Sequence, residues 1–234
     1  MPAPGRADGV WLLRRAMEQV VGSAIDTALA ARSGEREVVA ADIGGRASPW
    51  SARMRQFEAR TGARVRHVAI DPDERSPLRG LAEQLPLRDG SADLVLCTQM
   101  LEHVRRPDAA VAEMRRVMRP GGVCLLTTHG TWFYHPDPED YWRWTGAGLR
   151  ALFTAAGFER VEVTPVGGTK LALASLCLTA LARGAGNGLA GALVRNLLVA
   201  PANTVMAPFV LGRLAGRRSV EGELAINYLV QASL

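Results

Sequence analysis

The chain is poor in lysine, in cysteine and in aromatic residues, and each shortage excludes a class of protein. Lys170 is the single lysine among 28 basic residues, and the arginines that make up the rest are scattered, many of them beside acids. Although the net charge is +5, no basic run is interleaved with aromatic side chains, so we expect no nucleic-acid partner. Cys97, Cys124 and Cys177 lie far apart in apolar runs, which predicts buried thiols in a reducing cytoplasm rather than disulfides.

Long hydrophobic runs and metal-ligand spacings are also missing. Arg14, Arg15 and Glu18 interrupt the apolar segments near the N-terminus, so we expect no signal peptide. No uninterrupted apolar run reaches the roughly 20 residues of a transmembrane helix. No Cys/His cluster has zinc spacing, and we expect no metal. The 234 residues, 48% of them hydrophobic, suffice for the core of one soluble, cytoplasmic α/β domain with an insertion.

Two apolar runs that each end in an acid carry the first functional signal. The first run, within residues 37–50, ends at Asp42 and is followed by Gly44 and Gly45. Glycine at such a strand end lets the backbone come close to a ligand. The second run ends at Asp71, whose carboxylate can accept hydrogen bonds from both hydroxyls of a ribose. Together the two strand ends predict a cofactor that contains a nucleoside.

Residues 82–122 indicate which cofactor this is. They read Ala-Glu-Gln-Leu-Pro-Leu over 82–87, Leu-Glu-His-Val over 101–104 and Arg-Pro-Gly-Gly over 119–122. These motifs, at these spacings, resemble the class I S-adenosylmethionine-dependent methyltransferases, in the small methyltransferase-domain group. The resemblance covers residues 37–165 and resumes at the C-terminus.

Two positions depart from the pattern of that family. Arg46 stands where the first loop of the family has its second glycine, and a Cβ there conflicts with a close approach of the methionine moiety. Leu81 stands where the family usually has an acid that faces the adenine amine. These departures leave an alternative open: a degenerate, non-catalytic methyltransferase-fold protein that acts in assembly or regulation.

The resemblance implies a fold and a set of cofactor contacts. The fold is α/β and Rossmann-like, a seven-stranded, mostly parallel sheet in the order 3-2-1-4-5-7-6 with helices on both faces. Its cofactor is S-adenosyl-L-methionine, whose ribose Asp71 would hold. The other cofactor-binding residues that it implies are Asp42, Gly44, Gly45 and Arg46 in the first loop, Ala82 and Glu83 beside the adenine, and Cys97, Thr98 and Gln99 beside the methionine.

The loop of residues 131–145 is predicted to bind the acceptor. It holds three of the five tryptophans and follows the fifth strand, where open α/β sheets build ligand sites. Aromatic faces suit sugar rings and planar acceptors. Alternatively, the aromatic side chains pack on the domain and Asp140 forms a structural ion pair with Arg143. The predicted acceptor-binding residues are Tyr134, Asp140, Tyr141, Trp142 and Arg143.

Histidine is the candidate for acid–base chemistry. An oxygen acceptor loses a proton when it is methylated, and a positioned base accelerates that step. His103 and His135 are the predicted catalytic residues, with His129 as a third candidate, whereas His67 lies within a strand and is interpreted as structural. The sequence therefore predicts O-methylation of a saccharide, a lipid-linked glycan or a secondary metabolite.

Residues 166–220 are predicted to form a helical insertion, and residues 1–165 and 221–234 the methyltransferase domain. The insertion has no acid between Glu162 and Glu221, and Pro201 and a glycine cluster divide its apolar stretches. We expect these helices to cap the substrate site or to form a homodimer contact, and not to span a bilayer. The alternative is that they lie at an anionic membrane surface, which their composition also suits and which would place the protein peripherally on the inner membrane face.

Overall fold

A computed structural model describes residues 7–45, 50–73, 76–186, 188–211 and 224–234. The strands are β1 (Glu37–Ile43), β2 (Arg64–Asp71), β3 (Leu78–Arg79), β4 (Ala92–Thr98), β5 (Met118–His129), β6 (Arg160–Val166) and β7 (Asn227–Ser233). The helices are α1 (Trp11–Ala30), α2 (Ser51–Thr61), α3 (Pro107–Val117), α4 (Gly146–Ala155), α5 (Thr169–Gly184), α6 (Leu189–Val194) and α7 (Ala200–Leu211), with a 3-10 turn over Leu101–His103 and a π turn over Arg195–Val199.

The seven strands form one sheet in the order β3-β2-β1-β4-β5-β7-β6, as predicted. The pairs β2–β3, β1–β2, β1–β4 and β4–β5 are parallel. Because the chain leaves β1 towards β2 on one side and returns to β4 on the other, the strand order reverses between β1 and β4. A crevice outside the carboxyl ends of such a strand pair is the usual ligand site of open α/β sheets.

Local sequence explains where several elements begin and end. Strand β4 is buried along nearly its whole length, as its apolar run requires for a central strand of a parallel sheet. Helix α3 begins at Pro107, which needs no hydrogen-bond acceptor in the first turn. Helix α4 is capped by Thr145, whose hydroxyl accepts a hydrogen bond from the Gly148 N–H at 3.0 Å.

The chain divides into two compact units. One comprises residues 21–164 and 228–234 and holds β1 to β5, the 3-10 turn and the helices between them. The other comprises residues 1–20 and 165–227 and holds α5, α6 and α7. The start of the second unit lies close to the predicted start of the insertion, but the N-terminal residues were predicted to belong to the methyltransferase domain. The functional division of the chain stays a prediction.

The predicted break at Pro201 is wrong. Helix α6, the π turn and helix α7 follow one another without interruption from Leu189 to Leu211. A π turn loosens the regular backbone hydrogen bonding, and here it ends two residues before Pro201, which cannot donate to that ladder.

The continuous helical segment also corrects the expectation that no segment reaches transmembrane length. The 20 residues of Leu189–Pro208 are long and apolar enough to cross a membrane, and 17% of an 18-residue window within them is buried. One such helix does not by itself assign a protein to the membrane, because buried helices can have the same composition.

A buried carboxylate connects the two central strands to the loops at their amino ends. Asp93 on β4 is 2% exposed, and its Oδ2 accepts the backbone N–H of Val39 on β1 at 2.7 Å. Its Oδ1 forms ion pairs with Arg32 and Arg119. One side chain therefore satisfies a strand N–H and neutralises two cations.

Replacing Asp93 by alanine should lower the free energy of unfolding by about 2–4 kcal/mol, because the Val39 N–H and two arginines lose their buried acceptor. Asp89→Ala is the control. Asp89 is 81% exposed and pairs with Arg116, so its loss should cost at most about 1 kcal/mol. Urea unfolding measures both changes, and equal losses would contradict the role given to Asp93.

Candidate active site

The first loop, with Asp42, Gly44 and Gly45, is closely packed, as expected of a loop that holds a cofactor, and is called the cradle below. Gly44 follows β1 with φ of 77°, and a Cβ there would lie 2.8 Å from Met100 Cγ. A Cβ on Gly45 would overlap the Asp42 carboxylate. Both positions therefore need glycine in this conformation. Arg46 lies outside the described residues.

Asp42 is a buried acid with spare hydrogen-bonding capacity. It is 1% exposed, and its Oδ2 lies 3.1 Å from His67 Nε2. Its Oδ1 is buried and has no hydrogen-bond partner in the described parts of the chain. A buried acceptor without a hydrogen bond destabilises the folded state unless a ligand or a loop N–H reaches it. The site therefore fits a ligand that carries a hydrogen-bond donor. His67, interpreted as structural from the sequence, orients this acid.

Asp71 and the short loop after β3 form the next part of the edge. Asp71 is 5% exposed, and its Oδ1 accepts the Asp73 N–H at 2.8 Å, which fixes the carboxylate at the end of β2. Ala82 is buried and Glu83 is half-buried. Leu81 is 56% exposed, so an apolar side chain stands in water where the family usually has an acid.

The end of β4 supplies a tightly defined backbone. Gln99 has φ of 55°, and its backbone N–H and side-chain amide bond the carbonyl and hydroxyl of Thr127 on β5 at 2.9 and 3.1 Å. Thr98 is half-buried and Cys97 is fully buried. Burial raises the pKa of the Cys97 thiol well above its usual range, so the thiol stays neutral and is no nucleophile.

Three of the four histidines come together beyond the ends of β4 and β5. The rings of His103 and His135 lie 5.0 Å apart, and His129 Nε2 lies 2.8 Å from His135 Nε2. Beside them is Glu102, which is fully buried and accepts the Thr128 hydroxyl at 2.8 Å. The two predicted catalytic residues are thus neighbours, and the third candidate joins them.

Burial dominates the electrostatics of this cluster. It lowers the pKa of His129 to about 3, and the nearby His135 and Arg143 act in the same direction. Burial also raises the pKa of Glu102, against the hydrogen bond from Thr128. His129 is therefore a neutral imidazole at neutral pH, able both to donate and to accept a hydrogen bond.

The aromatic loop is held by an internal ion pair. The Arg143 guanidinium binds both carboxylate oxygens of Asp140 at 2.6 Å and donates to the carbonyl of Phe133 at 2.8 Å. Asp140 also accepts the His135 N–H at 2.9 Å. The arginine lowers the pKa of Asp140, which stays charged. These contacts favour the structural interpretation of Asp140 and Arg143 that the sequence left open.

The side chains of the other predicted acceptor-binding residues differ in how far they are exposed to solvent. Trp142 is 39% exposed and its indole N–H donates to the Val104 carbonyl at 2.8 Å, which anchors the loop. Tyr134 and Tyr141 are 68% and 47% exposed and present aromatic rings to solvent. The structure therefore leaves the two tyrosines as the better candidates for contact with an acceptor.

Residues 18–126 match the family model of the methyltransferase domain. The matched residues, slightly less than half of the chain, are similar to class I S-adenosylmethionine-dependent methyltransferases. The match confirms the resemblance stated from the sequence, and with it S-adenosylmethionine as the cofactor of the family.

Curated relatives share the central part of this domain. A probable S-adenosylmethionine-dependent methyltransferase of Mycolicibacterium smegmatis is 34% identical over 103 residues, 42% of this chain and 40% of that protein. The ubiquinone biosynthesis O-methyltransferase of Dechloromonas aromatica is 38% identical over 108 residues, 46% of this chain and 36% of that protein. Each match therefore spans less than half of the relative's length.

The fold of the methyltransferase domain also occurs in solved structures. A chain in the complex between the Haloferax volcanii Trm112 methyltransferase activator and a methyltransferase superposes with a TM-score of 0.53. It covers 96% of this chain and 94% of that one at 17% identity, so the likeness concerns the fold alone.

The sequence did not reveal that Glu102 and His129 belong to the same cluster as His103 and His135. Glu102 had been interpreted only as part of the Leu-Glu-His-Val motif, and His129 as a lesser candidate. Thr128, which binds the Glu102 carboxylate, lies 26 residues later in the chain, so no local pattern joins them. The one usable signal was that both segments follow neighbouring strands of the predicted sheet.

Gly45→Ala in the methyltransferase domain should weaken S-adenosylhomocysteine binding by about tenfold or more, a loss on the scale of one hydrogen bond to a charged group. The added Cβ overlaps the Asp42 carboxylate and displaces it. Gly34→Ala is the matched control, because a Cβ there meets no atom within 4 Å. Calorimetric titration compares the two, and unchanged affinity in Gly45→Ala would show that the cradle is not where the cofactor binds.

Proposed function

We propose that this chain transfers a methyl group from S-adenosylmethionine to an oxygen atom of a small-molecule acceptor, and that the acceptor is a saccharide, a lipid-linked glycan or a secondary metabolite. The observation that carries the proposal is the group of three imidazoles at the carboxyl edge of the sheet, His103, His129 and His135. Relatives named by the methylated atom include an O-, an S- and a C-methyltransferase, so the proposal of oxygen rests on the histidines.

The cofactor cradle and the histidines follow neighbouring strands. Ile43, which precedes the cradle, pairs with Cys97 in register, and Thr98 pairs with Thr127 on β5. Gly44 packs against Met100, directly before the 3-10 turn that carries His103. Cofactor and acceptor would thus meet at one edge of the sheet, which is what an in-line transfer requires.

Each group around the cradle has a distinct role in binding. When bound, S-adenosylmethionine supplies an electrophilic methyl group on a sulfonium. The Asp71 carboxylate would accept hydrogen bonds from the ribose hydroxyls. The unpaired Oδ1 of Asp42 would accept from a donor at the methionine end, and the glycines leave room for it. The fit supports cofactor binding despite the departures at Arg46 and Leu81.

The histidines would take the proton that the acceptor hydroxyl loses. A hydroxyl is a poor nucleophile at neutral pH, and a positioned base contributes about 10²–10⁴-fold to rate. His135 is half-buried on the acceptor side of the cluster, in the loop that carries Tyr134. Its backbone is fixed by Asp140, which keeps the imidazole in place.

Paired variants separate acceptor chemistry from cofactor binding. Asp71→Ala should weaken S-adenosylhomocysteine binding by about 1.5–3 kcal/mol, because a charge-assisted hydrogen bond is lost. His135→Ala should leave that affinity nearly unchanged and lower methyl transfer about 10²–10⁴-fold. Calorimetry gives the affinities, and isotope-labelled cofactor with a panel of phenolic, saccharide and lipid-linked saccharide acceptors gives the rates.

Two results would contradict the proposal. Absence of S-adenosylhomocysteine binding at millimolar ligand would favour the alternative of a non-catalytic scaffold, which Arg46 and Leu81 motivate. Equal loss of affinity in His135→Ala and Asp71→Ala would mean that the aromatic loop belongs to the cofactor site or to the fold.

We also propose that the second unit contacts an anionic membrane surface, which would place the protein peripherally at the inner membrane face. Its helices expose leucines at positions 173, 181, 189, 193, 197 and 198. Lys170, Arg183 and Arg195 lie in the same acid-free stretch. Apolar side chains among cations on exposed helices are typical of interfacial binding.

The protein should co-sediment with phosphatidylglycerol vesicles but not with phosphatidylcholine vesicles, and salt should release it. Each arginine at the surface contributes about 1 kcal/mol, which salt screens. Replacing Leu193 and Leu197 together by glutamate should abolish binding, whereas Leu81→Glu, a similarly exposed leucine in the other unit, should not. Absence from both vesicle types would assign the leucines to a cap or a dimer contact, and resistance to salt and carbonate would indicate a spanning helix.

A further inference from the structure

We infer that Glu102, His103 and His135 form a binding site for one divalent transition-metal ion of the zinc class. Each of the three offers one ligand atom, and these atoms lie within 4.8 Å of one another. Two imidazoles with one carboxylate is a ligand set of catalytic zinc sites, in which an open position remains for water or substrate. Imidazole nitrogens select zinc, iron, nickel or copper over magnesium and calcium.

His103 is oriented as a metal ligand would be. Its Nδ1 lies 2.6 Å from the Glu139 carbonyl oxygen, so Nδ1 must carry the proton and donate. In the neutral ring the lone pair then lies on Nε2. A backbone carbonyl that holds one ring nitrogen in this way fixes the tautomer and raises the basicity of the other, as is usual for metal-bound histidine.

Glu102 is a buried carboxylate with one unused oxygen. Its Oε2 accepts the Thr128 hydroxyl at 2.8 Å, but Oε1 has no hydrogen bond from any described residue. Removing a charged oxygen from water without a partner is costly, and a cation would supply that partner. The buried, half-satisfied carboxylate is a second observation that points to a cation, since His129 Nε2, at 3.4 Å from Oε1, makes no hydrogen bond to it.

The aromatic loop closes the site and holds His135 in it. The Glu102 carbonyl accepts the backbone N–H groups of Tyr141 at 2.9 Å and Trp142 at 3.3 Å, so the loop is tied to the residue that supplies the carboxylate. Arg143, the cation of the loop, is neutralised by Asp140 through two hydrogen bonds. The positive charge of the loop is therefore offset beside the proposed ion.

His129 completes the surroundings. Its Nε2 lies 2.8 Å from His135 Nε2 and 3.4 Å from Glu102 Oε1. A hydrogen bond between the two imidazoles accounts for the 2.8 Å distance, so the case for the ion rests on Glu102, His103 and His135. With the ion bound, His103 and His135 would act as ligands rather than as bases. An acceptor hydroxyl on the ion would be acidified as metal-bound water is, a consequence that rests on the proposed function.

Zinc and cobalt binding test the site directly. We expect stoichiometric binding of Zn²⁺ in calorimetry and a visible absorption band with Co²⁺, both measured on the whole chain without affinity tag, cofactor or acceptor. All proteins compared carry Cys177→Ser, because Cys177, which was predicted to be buried, is an exposed thiol that could bind zinc by itself. His103→Ala and His135→Ala should each weaken binding by roughly 10–100-fold or more and lose the cobalt band.

His67→Ala is the matched control, because it removes the one histidine outside the cluster and should leave metal affinity unchanged. Thermal unfolding of each variant verifies that it is folded. Absence of stoichiometric binding by the parent, or unchanged affinity in both cluster variants, would overturn the metal site and make His129 and His135 a proton-sharing pair. Since no cofactor is present, this result is separate from failure to bind S-adenosylhomocysteine.

Discussion

The hydrogen bonds of the buried residue Glu102 hold the histidine cluster and the aromatic loop together. Its side chain binds Thr128 on β5, its neighbour His103 belongs to the same turn, and its carbonyl receives two N–H groups of the aromatic loop. A fully buried acid pays a large desolvation penalty, so its position tolerates little movement. Three segments that are distant in sequence are thereby held at one point.

The sheet order, the acids that end β1 and β2 and the Thr145 cap were all predictable from the sequence. Each is encoded by neighbouring residues: an apolar run before an acid, or a threonine three residues before the N–H that it caps. The family resemblance supplied the strand order, which no local pattern states. The Leu-Glu-His-Val motif contains His103, whereas His135 was predicted from its place in the aromatic loop.

The cluster around Glu102 and the continuous helix after Leu189 were not predictable in the same way. The Glu102 contacts join residues far apart along the chain, and hydrophobic periodicity carries no information on such pairs. At Pro201 the general rule for proline was applied without allowing for a π turn before it, which relaxes the hydrogen-bond ladder. Arg46 lies outside the described residues, so the prediction of a conflict between its Cβ and the methionine moiety stays a prediction.

The ion pair between Asp140 and Arg143 holds the aromatic loop in shape, and other residues of the loop are the ones exposed to solvent. Because these two residues and the Trp142 indole fix the backbone from within, the exposed side chains of Tyr134 and Tyr141 are not needed to hold the loop. Exposed positions on a rigid frame can change without loss of stability. Substitutions at the two tyrosines would therefore change the chemistry that the loop presents to solvent and leave the ion pair and the histidines beneath it intact.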